Sequence, residues 1–346
     1  MAIKRGVSFY SYQQAQFFGE MTWKDMCREL RENLDADGVE IINEATIPGF
    51  PFPSQEFIHD WRATMARYKL QPVCLDGFLD TLRFRDHVID YDEAAEYVKI
   101  ELQQAHDLGF THIRSMTGLP TQVIDKCLST CEKLNVKLAW EIHSPLCIKP
   151  NPDMPNLWVE NPGTKVWETV QFIEKVGTNM VGFVPDWGIF MKAPYRDSVE
   201  RFIRLKEDAG LRSELEAIYK EVELKDFTAT VQKRLPGAIS QRELGMLSGK
   251  NSAEVEDLDM IYPYILSFHG KVHYMDEIPG QPGHYDDNST MCKEIIDYLK
   301  AKNWDGYVCT EYEGQRNYQD LPREQLIDEV DQVRRHHEML KRLIGE

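Results

Sequence analysis

The chain has 346 residues, 42% of them hydrophobic and 28% charged, enough apolar content for a large core. Its 57 acidic residues outweigh 40 basic ones, and a formal charge of -17 excludes a protein built to neutralise a nucleic-acid backbone. No apolar run of about 18 residues predicts a membrane span.

The opening, MAIKRGVSFYSYQQ, enters a strand-like segment without the apolar stretch or small-residue cleavage site of a secretory signal. A cytoplasmic location is therefore expected. The next segments alternate in character. Short runs rich in Val, Ile, Leu, Phe or Tyr, bounded by Gly, Asn or Asp, predict strands at 3–9, 38–42, 72–77, 112–116, 137–143, 180–186, 264–273 and 306–313. Amphipathic stretches between them predict helices at 22–33, 91–109, 120–135, 165–177, 290–303 and 323–343. Gly109, Gly177 and Gly306 stand just before strands, where a helix end needs a left-handed residue or a tight turn.

Eight strands, each followed by a helix, predict one (β/α)8 barrel domain over 1–346. A doubly wound sheet normally opens with a glycine-rich turn, and the corresponding turn here, YSYQQAQFFGE, has no phosphate-cradling glycines. The interval between strands six and seven is too long for one crossover, so 188–262 is read as a helical insertion over the catalytic end. Proline-rich loops at 45–55 and 148–163 carry Phe50, Phe52, Leu157 and Trp158, residues suited to a pocket wall or a local core. Cys27, Cys74, Cys127, Cys131, Cys147, Cys292 and Cys309 are scattered, with no CxxC pair, so neither a disulfide framework nor a zinc knuckle is indicated. Cys127 and Cys131 fall one helical turn apart and read as small apolar residues.

The late strands end in chemistry-bearing residues: Glu141 and His143 on strand five, Asp186 after strand six, His269 on strand seven and Glu311 on strand eight. Taken singly, a strand-end Asp caps a helix and a lone His is a satisfied core residue. In a barrel these ends converge on one mouth. Three carboxylates and one imidazole suit a divalent, fairly hard ion, Mn²⁺ best, with Mg²⁺, Co²⁺ or Zn²⁺ as alternatives.

The segments EIH, VPDWG, FHGKVHYMDE and GYVCTEYEG resemble the xylose-isomerase-like sugar isomerase and epimerase superfamily, whose (β/α)8 TIM barrels hold a divalent ion between Glu, Asp, His and Glu. The matching positions are Glu141, Asp186, His269 and Glu311. SYQQ, EIHSP and TEYEGQR are closer to the large (alpha) subunit of bacterial C-glycoside deglycosidases. That resemblance implies a 3-keto C-glycoside substrate, lyase-type cleavage of its carbon–carbon glycosidic bond, and a small beta subunit as partner in a hetero-oligomer. His143 shares a strand face with Glu141 and is the expected base, acting on the C2 proton or on the aglycone phenol. Lys271 shares a face with His269 and is expected either to touch a sugar oxygen or to pair with a ligand. Arg316 and Tyr312 are further candidates for substrate contact. His273, His284, Asp276 and Glu277 could add polar contacts at the mouth but read first as surface loop, and His336 and His337 read as solvent-facing positions on a charged helix. The rival reading is a sugar isomerase or epimerase, for which Glu44 could supply a second acid/base. A non-catalytic metal-binding subunit is a third.

Overall fold

The computed structural model describes residues 3–115, 118–144, 148–149, 166–247 and 253–346. Met116, Pro145, Cys147, Leu157 and Trp158, named above, lie outside the described residues. Eight parallel strands form the frame: β1 Lys4–Ser8, β2 Gly38–Ile42, β3 Gln71–Gly77, β4 His112–Ser115, β5 Lys137–Ile142, β6 Val181–Pro185, β7 Ser267–Val272 and β8 Tyr307–Tyr312. They pair in the order β6–β5–β4–β3–β2–β1–β8–β7. Placing the last strand beside the first excludes the doubly wound alternative. β6 and β7, the two ends of this sheet, meet through isolated parallel bridges, Phe183 with Ile265 and Asp186 with His269, so the barrel is nearly closed. The seam is tight: a Cβ on Gly182 would run into the Tyr264 carbonyl oxygen.

Strand alternation sorts the side chains. Val39, Ile41, Leu75, Ile113, Leu138, Trp140, Phe183, Phe268 and Val308 are buried in one apolar cluster beneath the helices. The opposite faces turn inward and are polar. His112 Nε2 reaches Ser267 Oγ at 3.0 Å across the interior, between strands that are not neighbours in the sheet.

Helices α1 Trp23–Glu32, α2 Gln55–Tyr68, α3 Tyr91–Leu108, α4 Thr121–Leu134 and α5 Val166–Val176 cover the first strands. Reciprocal caps start α1, through Thr22 and Asp25, and α3, through Asp90 and Glu93. Gly109 and Gly177 adopt the left-handed conformation, with φ of 85° and 71°. Gly306 does not; the absence of its Cβ makes room for the Trp304 ring, and Asn303 is the left-handed residue there. Cys127 and Cys131 are buried on α4, and burial pushes both thiols up to about 12, so they pack as small apolar groups.

Between β6 and β7 lie α6 Arg196–Arg204, α7 Ala209–Glu221, α8 Phe227–Arg234 and α9 Gln241–Leu247. Val199, Leu215, Ile218, Phe227 and Val231 give these helices a small core of their own. Arg204 ties them to the segment after β8, bonding the Asn317 carbonyl at 2.7 Å and Asp320 at 2.9 Å. α10 Cys292–Ala301 and α11 Glu329–Ile344 complete the ring.

The last predicted helix is two elements. Arg323–Gln325 forms a 3-10 turn, and α11 begins afresh where the Asp328 side chain accepts the Asp331 N–H. His336 and His337 on α11 are 0% and 1% exposed, which corrects their reading as solvent-facing. Helical period decides it: they share the barrel-facing stripe with buried Val333 and Leu340, while the flanking charges turn away. Arg5 donates to His337 Nδ1 at 3.0 Å, so His337 Nε2–H donates to Thr310 Oγ1, whose hydroxyl is left to serve His336 Nδ1.

Candidate metal centre

Glu141 is the inward residue next to the end of β5, between outward Trp140 and Ile142, and is 1% exposed. Asp186 follows β6 directly. Its Oδ1 accepts the Gly188 N–H at 2.6 Å and caps a short 3-10 turn, which leaves Oδ2 for the centre. The capping role expected of a lone strand-end Asp and a ligand role therefore use different oxygens. His269 and Lys271 occupy alternate inward positions of β7, and Glu311 the matching position of β8.

Glu141, Asp186, His269 and Glu311 each offer a ligand atom, and these atoms all lie within 4.8 Å of one another. All four residues are buried, at most 4% exposed. Among the described residues Glu141 Oε2, Asp186 Oδ2 and Glu311 Oε2 meet the charged groups of Arg114 and Lys271 but accept no hydrogen bond of ordinary geometry. Three buried carboxylates around one imidazole, facing only two other cationic side chains, fit a divalent cation.

Charge compensation comes from His269, Lys271 and one residue that the sequence reading passed over, Arg114. Burial alone would raise the Glu141 carboxyl, but Arg114 and His269 hold it well below the usual range. Glu311 is held down likewise by Lys271, His269 and Arg114, against its burial. The Arg114 guanidinium lies 3.2 Å from Asp76, 3.6 Å from Glu141 and 3.8 Å from Glu311. A mid-strand Arg inside HIRSM, like Glu40 in GVEII and Asp76 in VCLDG, is a charge in an apolar strand. That pattern is legible, because such a charge needs a partner.

Lys271 is 3% exposed. Its ammonium sits 2.6 Å from Asp186, 3.0 Å from Glu313 and 3.2 Å from Glu311. Burial opposes the charge, but these carboxylates keep it protonated. Of the two roles expected for Lys271, the ion pair with ligands is present. Its Nζ is also 3.0 Å from His143 Nε2, while His143 Nδ1 lies 2.6 Å from the Ser144 carbonyl. An ammonium only donates and a carbonyl only accepts. The ring is therefore the neutral tautomer with its proton on Nδ1 and a lone pair on Nε2. His143 is about one-third exposed at the edge of the cluster, 3.6 Å from Asp186.

Arg316 stands outside this group, half-exposed, bonded to Glu313 at 2.9 Å and set over the Tyr10 ring. Tyr312 is 0% exposed and alternates to the face opposite Glu311, with Asp197, Tyr318 and Glu329 around its hydroxyl. This placement corrects the expectation of a substrate contact: the residue packs behind the strand. His273 also departs from a surface loop. It is 8% exposed, stacks on Tyr195 and meets Asp197 at 3.0 Å. Glu44 is exposed in the turn after β2.

No family model matches the chain. Comparison with curated proteins is more informative. The 3'-dehydrocarminate deglycosidase alpha subunit of Microbacterium sp is 24% identical over 99% of this chain and 95% of its own. The C-glycoside deglycosidase alpha subunit of Microbacterium trichothecenolyticum is 24% identical over 94% and 88%. This chain is similar to C-glycoside deglycosidase alpha subunits along nearly its whole length. Among solved structures, a sugar phosphate isomerase/epimerase of Parabacteroides distasonis has a TM-score of 0.54 at 12% identity, covering 100% of this chain and 95% of its own. The IolI protein with a bound zinc atom has a TM-score of 0.56 at 11% identity, covering 99% and 98%. The fold is thus that of barrel sugar isomerases and epimerases. The chain's deglycosidase relatives are named for acting on C-glycosides and as alpha subunits.

Proposed function

We propose that this protein is a carbon–carbon lyase that releases the aromatic aglycone from 3-keto C-glycosides. The observation that carries the reading is the His143 lone pair, held at the edge of a four-residue metal centre in a chain similar throughout to deglycosidase alpha subunits. A relative named for a 3'-dehydro substrate fits the same reading.

A carbon–carbon glycosidic bond has no oxygen leaving group, so a glycosidase-type carboxylate pair has nothing to protonate. A carbonyl at C3 makes the C2 proton acidic. His143 Nε2 takes that proton. The electron pair left on C2, delocalised into the C3 carbonyl, returns to form a C1=C2 double bond as the bond from C1 to the aromatic ring breaks. The ring carbon receives the electrons of that bond and a proton returned from His143. The products are an unsaturated keto sugar and the free aglycone, with no water or oxidant consumed.

Glu141, Asp186, His269 and Glu311 would hold the divalent ion, with Mn²⁺ the preferred choice. When bound, it supplies Lewis acidity to the C2 and C3 oxygens of the sugar. Lys271 donates to His143 Nε2 and so fixes the ring tautomer, and its transfer to a sugar oxygen as substrate enters frees that lone pair to take the proton. Arg316 contributes a cation at the rim. A small beta subunit completes the enzyme.

The test is incubation with a 3-keto C-glycoside and Mn²⁺, with and without a candidate small subunit, following free aglycone. Release that depends on Mn²⁺ is expected. A parallel assay with free ketoses gives the alternative its chance: epimerised or isomerised ketose with no aglycone released in any arm would replace lyase by isomerase.

A further inference from the structure

Two groups of candidate ligands share one imidazole. Besides the centre above, Glu40, Asp76 and His269 also bring ligand atoms within 4.8 Å of one another. The ring of His269 stands between the two groups. Its Nδ1 faces Glu141 Oε1 at 2.8 Å and Glu311 Oε2 at 3.4 Å, whereas Nε2 faces Glu40 Oε1 at 3.2 Å. Glu40 is 0% exposed, its Oε1 and His269 Nε2 face each other at 3.2 Å, and its other neighbouring donor is the Cys309 thiol.

The lower group differs from the upper one in a decisive respect. The Arg114 guanidinium already lies 3.2 Å from Asp76. A second cation there would be pressed against a fixed positive charge. Among the described residues the donors facing Glu40 are the His269 ring nitrogen, at 3.2 Å, and the Cys309 thiol, and only the ring nitrogen belongs to the centre. A ligating histidine commonly donates its other N–H to a carboxylate, which fixes both tautomer and ring orientation.

We propose that Glu40 is the positioning residue of the centre: it holds the His269 proton on Nε2 and so presents the Nδ1 lone pair to a single ion. This rests on the reading that Glu141, Asp186, His269 and Glu311 hold that ion. Arg114, paired with Asp76, offsets the repulsion between Asp76 and Glu40.

The experiment is a Mn²⁺ titration followed by electron paramagnetic resonance, with long-range ¹⁵N–¹H spectra of histidine-labelled protein loaded with diamagnetic Zn²⁺. His269 is assigned by its absence in His269→Gln. One ion per chain and a proton on Nε2 are expected for the wild type. Glu40→Leu should weaken Mn²⁺ binding by roughly 10–100-fold. Glu40→Gln, whose amide oxygen still accepts an N–H, should recover most of that affinity. Two ions per chain, the second lost in Glu40→Gln, would make Glu40 a ligand and overturn the proposal. So would a proton on Nδ1, or Glu40→Leu binding Mn²⁺ as the wild type does. Should Glu40→Leu fail to fold, the wild-type tautomer and stoichiometry still decide. Absence of any Mn²⁺ binding by folded wild-type protein would instead remove the metal centre itself, a different result from an indifferent Glu40.

Discussion

His143 and Lys271 divide one task between them. An ammonium that cannot accept a hydrogen bond holds the imidazole nitrogen as an acceptor, and three buried carboxylates hold the ammonium in its charged form. Replacing His143 with Asn removes the base and leaves the four ligands untouched. Aglycone release should fall by roughly 10²–10⁴-fold, the usual contribution of a positioned general base, while Mn²⁺ affinity measured by titration stays unchanged. Glu101 offers a residue-scale prediction away from the site. Its carboxylate packs against the bare Cα of Gly77, with Asn43 donating to it at 3.3 Å, and burial pushes its pKa up to about 7. A folded-state value above the unfolded value of 4.5 means that stability is present below pH 4.5 and lost as pH rises through 7. Glu101→Gln keeps the shape without the ionisation. It should match the wild type at pH 4.5 and exceed it at pH 8 by at most about 3 kcal/mol, read from urea unfolding at the two pH values.

At the scale of elements, the seam between β6 and β7 carries the centre. Asp186 pairs with His269 across it, so two of the four ligands depend on how closely these strands approach. Gly182 sets that approach, because its Cα faces the Tyr264 carbonyl with no room for a side chain. Gly182→Ala should push the seam apart, costing about 1–3 kcal/mol as overpacking does, and should weaken Mn²⁺ binding although the residue is no ligand. Thermal unfolding together with metal titration checks both effects. The last helix makes a related point. α11 covers β8 with two buried histidines that bond to Thr310, one residue before the ligand Glu311. A helix that looks charged along its sequence thus braces the strand bearing a metal ligand.

Across the whole molecule, the barrel interior trades apolar packing for paired charge. Glu40, Asp76, Glu141, Asp186 and Glu311 converge on Arg114, His269 and Lys271, all buried. The balance favours binding a cation, so metal should stabilise the fold. Addition of Mn²⁺ at 100 times its dissociation constant should add about 2.7 kcal/mol to the unfolding free energy. Melting of the metal-free protein, with and without Mn²⁺, measures it; an unchanged melting temperature would contradict the metal centre.

The eight strands were legible because each couples β-branched or aromatic residues with period-two alternation, and GVEII and its neighbours keep that pattern within a residue or a few of the structure's bounds. The convergence of Glu141, Asp186, His269 and Glu311 was legible because barrel strands end at a common mouth, so a strand-end carboxylate has a known destination. Tyr312, His273, His336 and His337 were misread because face and depth depend on what packs behind an element, which local pattern does not specify. The sequence by itself determined the alternation of strand and helix and the ligand chemistry, since both follow from spacing along one chain. Only the tertiary structure decided that Arg114 lies against these carboxylates and that Lys271, of its two expected roles, pairs with them. Charge pairing in a low-dielectric interior acts through distances of a few ångströms between strands far apart in sequence, and no local pattern records those distances.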